Sequence, residues 1–216
     1  KKGDEYIING RKCFITNAGF ASIFVVFAVT DKEKGAHGIS AFIVERDRPG
    51  ISIGKEEDKM GIRGSNTADV VFEDVHVPAD HMLGAEGKGF EIAMKTLDLA
   101  RPMVGAMAVG IAQRAIEESV NYAKQRITFG KPIIKHQVIS FKIADMEMRA
   151  ETARANIINA VNHYYAGLPF GKQAAIAKCY AGDIAVQNAL EAIQILGGYG
   201  YSREYNVEKL LRDAKI

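Results

Sequence analysis

The chain has 216 residues, 48% hydrophobic and 25% charged, which is the composition of an ordinary globular protein of one to two domains and excludes a disordered, collagen-like or low-complexity chain. Its 28 basic and 26 acidic side chains leave a net charge of +2 without a block of either sign, so neither a nucleic-acid face nor a polybasic membrane patch is indicated. Cys13 and Cys179 form no CxxC pair, which argues against a disulfide framework or zinc site and for a reducing compartment.

No apolar run approaches the roughly 18–20 residues of a membrane span. Lys1-Lys2-Gly3-Asp4 leads straight into structured sequence, and Leu211–Ile216 stops without a cap or breaker. The expectation is a segment of a longer protein, without a signal or transit peptide.

Residues 1–87 alternate in short runs. Tyr6-Ile7-Ile8, Asn9-Gly10 and Lys12-Cys13-Phe14-Ile15 predict a strand, a type I′ turn and a second strand. Further strands are predicted over Ile23–Thr30, Ile39–Glu45, Ile51–Ile53, Asp69–Phe72 and Val75–Val77, with turns at Lys32–Gly38 and Asp47-Arg48-Pro49-Gly50. Short strands at this spacing predict a small antiparallel β-sandwich or barrel. A βαβ pattern is missing, which argues against a Rossmann domain.

From Gly89 the apolar period becomes helical. Val104, Met107, Ala108, Ile111 and Ala115 predict one face of a first helix, kinked or restarted at Pro102. Ile139, Ile143, Met146, Ala150, Ala153, Ile157, Ala160 and Tyr164 alternate spacings of four and three, a bundle-type stripe. Lys172 to Leu196 is apolar nearly all round and predicts the most buried helix. Gly197-Gly198-Tyr199-Gly200 ends it, and Asn206 could cap a last short helix. The predicted class is α+β: a β-domain over 1–87, then an antiparallel helical bundle over 88–216 that lacks at least one partner helix.

Three places could carry chemistry. Phe14-Ile15-Thr16-Asn17-Ala18-Gly19 breaks a strand into small polar residues, leaving an aromatic and a hydroxyl at a sheet edge; the pattern alone favours an ordinary strand end with Phe14 in the core. Arg126-Ile127-Thr128-Phe129-Gly130-Lys131-Pro132 sets a guanidinium beside glycine-freed amides, suited to a phosphate or pyrophosphate. A basic residue at a helix C-terminus is also ordinary dipole compensation. Gln194-Ile195-Leu196-Gly197-Gly198-Tyr199-Gly200 permits close approach of a ligand, or merely a tight turn. The five histidines show no metal-ligand spacing, the methionines fall largely at helical core spacing and are expected to fill gaps there, and Glu73-Asp74 reads as solvated carboxylates. No metal site is expected.

Taken in order, FITNAG, GISAFIVERDRPG, KMGIRGSNTADVVFEDVHVP, LGAEGKGF, LDLARP, RITFGKPIIKHQ and QILGGYGYSREYNVEKLLRDAKI make the whole chain resemble the acyl-CoA dehydrogenase family. The likeness runs from the middle β-domain through most of the C-terminal bundle, with the N-terminal helical domain absent, and is nearest the short- and medium-chain branch that includes butyryl-CoA dehydrogenases. It implies an FAD enzyme that places an α,β double bond in an acyl-CoA thioester. A glutamate takes the α-proton, a hydride leaves the β-carbon for the flavin, and electron-transfer flavoprotein takes the electrons. It also implies a homotetramer, a dimer of dimers, in the cytoplasm of a bacterium or the mitochondrial matrix of a eukaryote.

Residue by residue, Phe14 falls where the family usually has a tryptophan against the flavin ring, with Ile15 beside it and Thr16 at the flavin's polar edge. Arg126, Thr128 and Phe129, with His136 and Gln137 next to them, match positions toward the pyrophosphate and adenosine of a neighbouring subunit's FAD. Gln194, Leu196, Gly197 and Gly198 match the turn at the adenine end, and Asp98, Ala100 and Arg101 match substrate-side positions. The family base follows RDAKI in a YEGT-like motif, and so is expected just after Ile216. A minority place it immediately before the LDL-x-R arginine, where this chain has Ala100. No catalytic base is therefore expected within the chain, and the segment alone should bind FAD poorly and be inactive. An enoyl-CoA reductase or acyl-CoA oxidase of the same fold, or a catalytically inactive scaffold, are the competing readings.

Overall fold

The computed structural model describes residues 1–216 as two compact units, one of Lys1–Lys59 with Arg63–Thr96 and the other of Met60–Ile62 with Leu97–Ile216. In the first, strands β1 (Glu5–Thr16), β5 (Thr67–Pro78) and β4 (Ile51–Ile53) form one sheet in the order β1-β5-β4. Strands β2 (Ile23–Val29), β3 (Ile39–Glu45) and β6 (Met82–Leu83) form the other, and all pairings are antiparallel. Alternation builds the core: Tyr6 and Ile8 from β1 and Val70, Phe72, Val75 and Val77 from β5 meet Phe24, Val26, Phe42 and Val44 of the second sheet. The result is a sandwich of two three-stranded sheets; it does not close into a barrel.

The predicted Asn9-Gly10 hairpin does not form. Residues 5–16 make one strand, and both of its predicted halves pair with β5, which joins the two short runs foreseen at Asp69–Phe72 and Val75–Val77. Asn9 instead faces a bulge: between the pairs Ile8–Val75 and Gly10–Phe72 it stands alone against Glu73 and Asp74. Its amide donates to Asp74 Oδ1 at 2.9 Å and accepts from the Asp74 N–H at 2.8 Å, fixing Asp74 at φ +50°. Long-range pairing with a 12-residue partner overrode a local turn signal.

The second unit contains α2 (Gln137–Tyr165), α3 (Gly171–Leu196) and α4 (Val207–Ala214), with all but the start of α1 (Gly89–Gln125). α1 runs through Pro102 without interruption; the proline costs one ladder bond, the one to the Asp98 carbonyl. Its buried face is Val109, Ala112, Ala115, Ile116 and Ala123, whereas Val104 and Met107 of the predicted face are exposed. The α2 stripe is as predicted over Met146, Ala150, Ala153 and Ala160, and Tyr164 lies largely outside it. α3 is buried along a row of small residues from Ala174 to Ala192, which lets it pack closely along α2; Ile176 and Leu190 are exposed, so it is not apolar-covered all round. Asn206 precedes α4 but its side chain makes no cap bond. No helix is long and apolar enough to cross a membrane.

Candidate functional site

α1 ends at Gln125, and Arg126 adds a last helical bond to Tyr122 O at 2.9 Å. The chain then makes a minimal hairpin, β7 (Ile127–Thr128) and β8 (Lys131–Pro132). Its two-residue turn, Phe129 at φ +50° and Gly130 at φ +77°, has the positive φ at both centres that a type I′ turn requires. An aromatic residue in that conformation is strained by about 1–3 kcal/mol. The turn holds the Phe129 ring 96% exposed, edge-on to His136 with centroids 6.1 Å apart. His136 starts α2 and has Nε2 at 3.2 Å from Thr128 Oγ1, tying the hairpin to the helix.

α3 approaches the same place from 60 residues later. Gly197 ends it at φ +61°, and a Cβ on Gly200 would lie 2.4 Å from the Ile193 carbonyl, so the turn needs glycine at both positions. Between hairpin and turn lies an open cavity of about 690 Å³ lined by Arg126, Thr128, Phe129 and His136 on one side and Leu196, Gly197 and Gly198 on the other. Two of the three sequence motifs thus meet. Gln137 and Gln194 are exposed beside the cavity but do not line it.

Arg126 has no carboxylate partner. Its guanidinium carbon lies 6.0 Å from the Tyr199 ring centroid. Tyr199 packs against Tyr205 at 5.4 Å and Tyr122 at 6.3 Å. Burial pushes the Tyr122 hydroxyl up in pKa, so it stays protonated. This tyrosine cluster was not foreseen, since its members lie on α1, the glycine turn and the approach to α4 and share no spacing. The cavity therefore offers an uncompensated cation, hydroxyls and flat apolar faces, which is chemistry for an anion joined to an aromatic ring.

The third motif lies in the β unit. Phe14 is not in the core: it is 72% exposed at φ +56°. Thr16 is exposed too, while Ile15 between them packs on the sandwich core. Phe14 and Thr16 therefore share one outward face.

Asp98 and Arg101 pair with each other one turn apart on α1. A Cβ on Gly171 would come 3.1 Å from Asp98 Oδ2, so α3 begins directly over this pair. Next to it, an apolar cleft of about 250 Å³ opens between Leu99, Pro102 and Met103 of α1 and Ile157, Tyr164 and Phe170. Ala100 offers no proton acceptor.

With this geometry in place, comparison with known proteins assigns the chain. Residues 87–216 match the model of the acyl-CoA dehydrogenase C-terminal domain and residues 1–75 that of the acyl-CoA dehydrogenase middle domain. The chain belongs to the acyl-CoA dehydrogenase family. It is 56% identical over 217 residues to the short-chain-specific acyl-CoA dehydrogenase of Megasphaera elsdenii, covering all of this chain and 57% of that protein. The structure of butyryl-CoA dehydrogenase from Megasphaera elsdenii superposes with a TM-score of 0.97 at 56% identity, over all of this chain and 56% of that one. An acryloyl-CoA reductase (NADH) of Anaerotignum propionicum is 52% identical over 99% of this chain and 54% of its own length. The chain thus spans little more than half the length of these relatives.

Proposed function

We propose that the protein containing this chain is an FAD-dependent acyl-CoA dehydrogenase acting on a short- or medium-chain acyl-CoA. The observation that carries this is the cavity where Arg126, Phe129 and His136 meet Leu196, Gly197 and Gly198, a guanidinium without a carboxylate partner beside exposed rings. These residues fit the adenosine-pyrophosphate half of FAD. Gly197 and Gly198 have no heavy atom within 4 Å of where a Cβ would stand, leaving room for a ring against backbone. Arg126 supplies the charge-assisted partner of the pyrophosphate.

When bound, the flavin supplies a two-electron acceptor for the hydrogen leaving the substrate's β-carbon. On this reading Phe14 offers an aromatic face to the isoalloxazine ring and the Thr16 hydroxyl a hydrogen bond to its polar edge. Phe14 stands where the family usually has tryptophan, so it keeps the face without an indole N–H. Asp98 and Arg101, with Ala100, border the substrate. The proton acceptor is a glutamate in the sequence following Ile216. An α-C–H yields to a carboxylate only where the thioester oxygen's growing charge meets placed donors in a dry pocket. Because the Arg126 and Gly198 elements match positions that serve a neighbouring subunit, the assembly is a dimer of dimers with each FAD across a dimer interface. Electron-transfer flavoprotein is the proposed electron acceptor.

The test is Arg126→Ala in the complete protein. Loss of the pyrophosphate's partner, worth about 1.5–3 kcal/mol, is expected to release FAD on dialysis; full flavin occupancy overturns the assignment. A second reading, reduction of an enoyl-CoA, draws on the 52% identity to an acryloyl-CoA reductase. Turnover measured separately with electron-transfer flavoprotein, NADH and oxygen decides between dehydrogenase, reductase and oxidase. A protein inert with all three is the scaffold.

A further inference from the structure

We propose that Asp69 is a positioning residue: it holds the β-bulge that turns Phe14 and Thr16 to the outward face of β1. This rests on the reading of that face as the flavin contact. In β1 the even-numbered Tyr6 and Ile8 point into the sandwich core, whereas farther along the strand the odd-numbered Ile15 does. The parity changes where Lys12 pairs with Val70 but Ile15 pairs with Ala68, so that Cys13 and Phe14 together oppose the single residue Asp69. One extra residue in a strand reverses the facing of every side chain beyond it. Without the bulge, Phe14 and Thr16 would continue the inward row of Tyr6 and Ile8.

The Asp69 carboxylate occupies the centre of that irregularity. It is 6% exposed. Its Oδ1 accepts from the Phe14 N–H at 3.3 Å, the ladder donor displaced by the bulge, and its Oδ2 accepts from Arg11 Nε at 2.6 Å as well as from Arg11 Nη2. The side chain fits because residue 54 is glycine: a Cβ there would stand 3.2 Å from Asp69 Cβ. A second pin lies three residues beyond Phe14. Asn17, at φ +61°, donates to Asn66 O at 2.8 Å, and Gly19 N–H donates to Asn66 Oδ1 at 2.7 Å. Ile15-Thr16 is thus held between two left-handed residues, each tied from the adjoining strand or its approach. A bulged conformation at a bulky residue persists only where its surroundings over-determine it, and Asp69 is the group that does so at Phe14.

The experiment uses the complete, flavin-loaded protein with Phe14→Ala, Asp69→Ala, Asp69→Asn and Arg11→Gln. Two readouts are taken besides turnover: the visible absorption and circular dichroism of the flavin, and hydrogen exchange of the Phe14 amide. Asp69→Ala is expected to speed Phe14 exchange by about tenfold or more and to move the flavin spectrum in the direction of Phe14→Ala. It should lower kcat while KM stays near wild type. Asp69→Asn keeps an acceptor for the Phe14 N–H and is expected to restore most of the spectrum. Arg11→Gln, at an exposed side chain, should give the same changes more weakly, and reads the pair if Asp69→Ala fails to fold. Wild-type Phe14 exchange and flavin spectrum in Asp69→Ala, while Phe14→Ala shifts the spectrum, overturn the inference. An unshifted spectrum in Phe14→Ala instead overturns the flavin contact, and exchange at Phe14 still decides whether Asp69 holds the bulge.

Discussion

The backbone N–H of Ile62 donates to Asp213 Oδ1 at 2.7 Å, joining residues 151 positions apart in sequence. Arg212 adds a bond from Nη1 to Met60 O at 3.0 Å. Between them, a Cβ on Gly61 would stand 2.1 Å from the Arg212 carbonyl. The short segment Met60–Ile62 is therefore clamped on the end of α4, with Ile62 at φ +47°.

This clamp gives the first prediction. Gly61→Ala forces backbone against backbone and is expected to cost about 1–3 kcal/mol. Asp213→Ala leaves the Ile62 N–H and Lys209 without their acceptor, for about 1–3 kcal/mol. Urea unfolding of each variant checks both, and wild-type midpoints would show that α4 is held by its apolar face alone.

Asn188 gives the second. It is buried between α2 and α3, donates to Met146 O at 3.0 Å, and its Oδ1 has no partner. Leucine has the same branched shape but is larger; it loses one bond, removes an orphaned oxygen and overpacks the site, so Asn188→Leu is expected to cost about 1–2 kcal/mol. Asn188→Ala, which loses the same bond and leaves a void, should be the more destabilised, at about 2–4 kcal/mol. Thermal melts of the pair rank them.

Acid stability of the β-sandwich is the third. Hydrogen bonding to Arg48 lowers Glu45 from the ordinary 4.5 to about 2. Arg11 holds Asp69 low, and Lys34 holds Asp31 low. Each folded carboxyl binds its proton less readily than the unfolded one, so the unfolded state takes up protons first as pH falls. Stability from these groups is full above the unfolded values and is lost as pH drops from about 4.5 toward 2. Circular dichroism of the strands across that range should show the decline, and Glu45→Gln should flatten part of it.

The fourth concerns the base. Replacing the glutamate proposed after Ile216 with glutamine is expected to abolish anaerobic bleaching of the flavin by acyl-CoA without releasing FAD. Ala100→Glu added to that variant should restore a measurable fraction, because on the proposed reading both positions would reach the same α-carbon from different helices. Bleaching at the wild-type rate in the glutamine variant would place the base elsewhere.

Much of this protein was legible in its residues. β-rich runs bounded by turn residues placed β2, β3 and β4 almost to the residue, and the spacing of four and three in α2 named Met146, Ala150 and Ala153 as core, because burial on one face of a helix imposes a side-chain period. The motifs RITFGKP and QILGGYG each carried a residue type suited to a ligand, but neither carried the fact that they meet. That was decided by the packing of α3 along α2, which brings Gly197 to Arg126 across some 70 residues. Asn9-Gly10 has the composition of a hairpin turn and sits instead opposite a bulge, since β5 supplies more pairing than a local turn could. The outward facing of Phe14 was equally invisible: strand alternation sends it inward, and only a carboxylate 55 positions away, accepting its amide, reverses the strand beyond it. Local period is written in neighbouring residues, whereas register and convergence depend on partners that lie near only once the chain has folded.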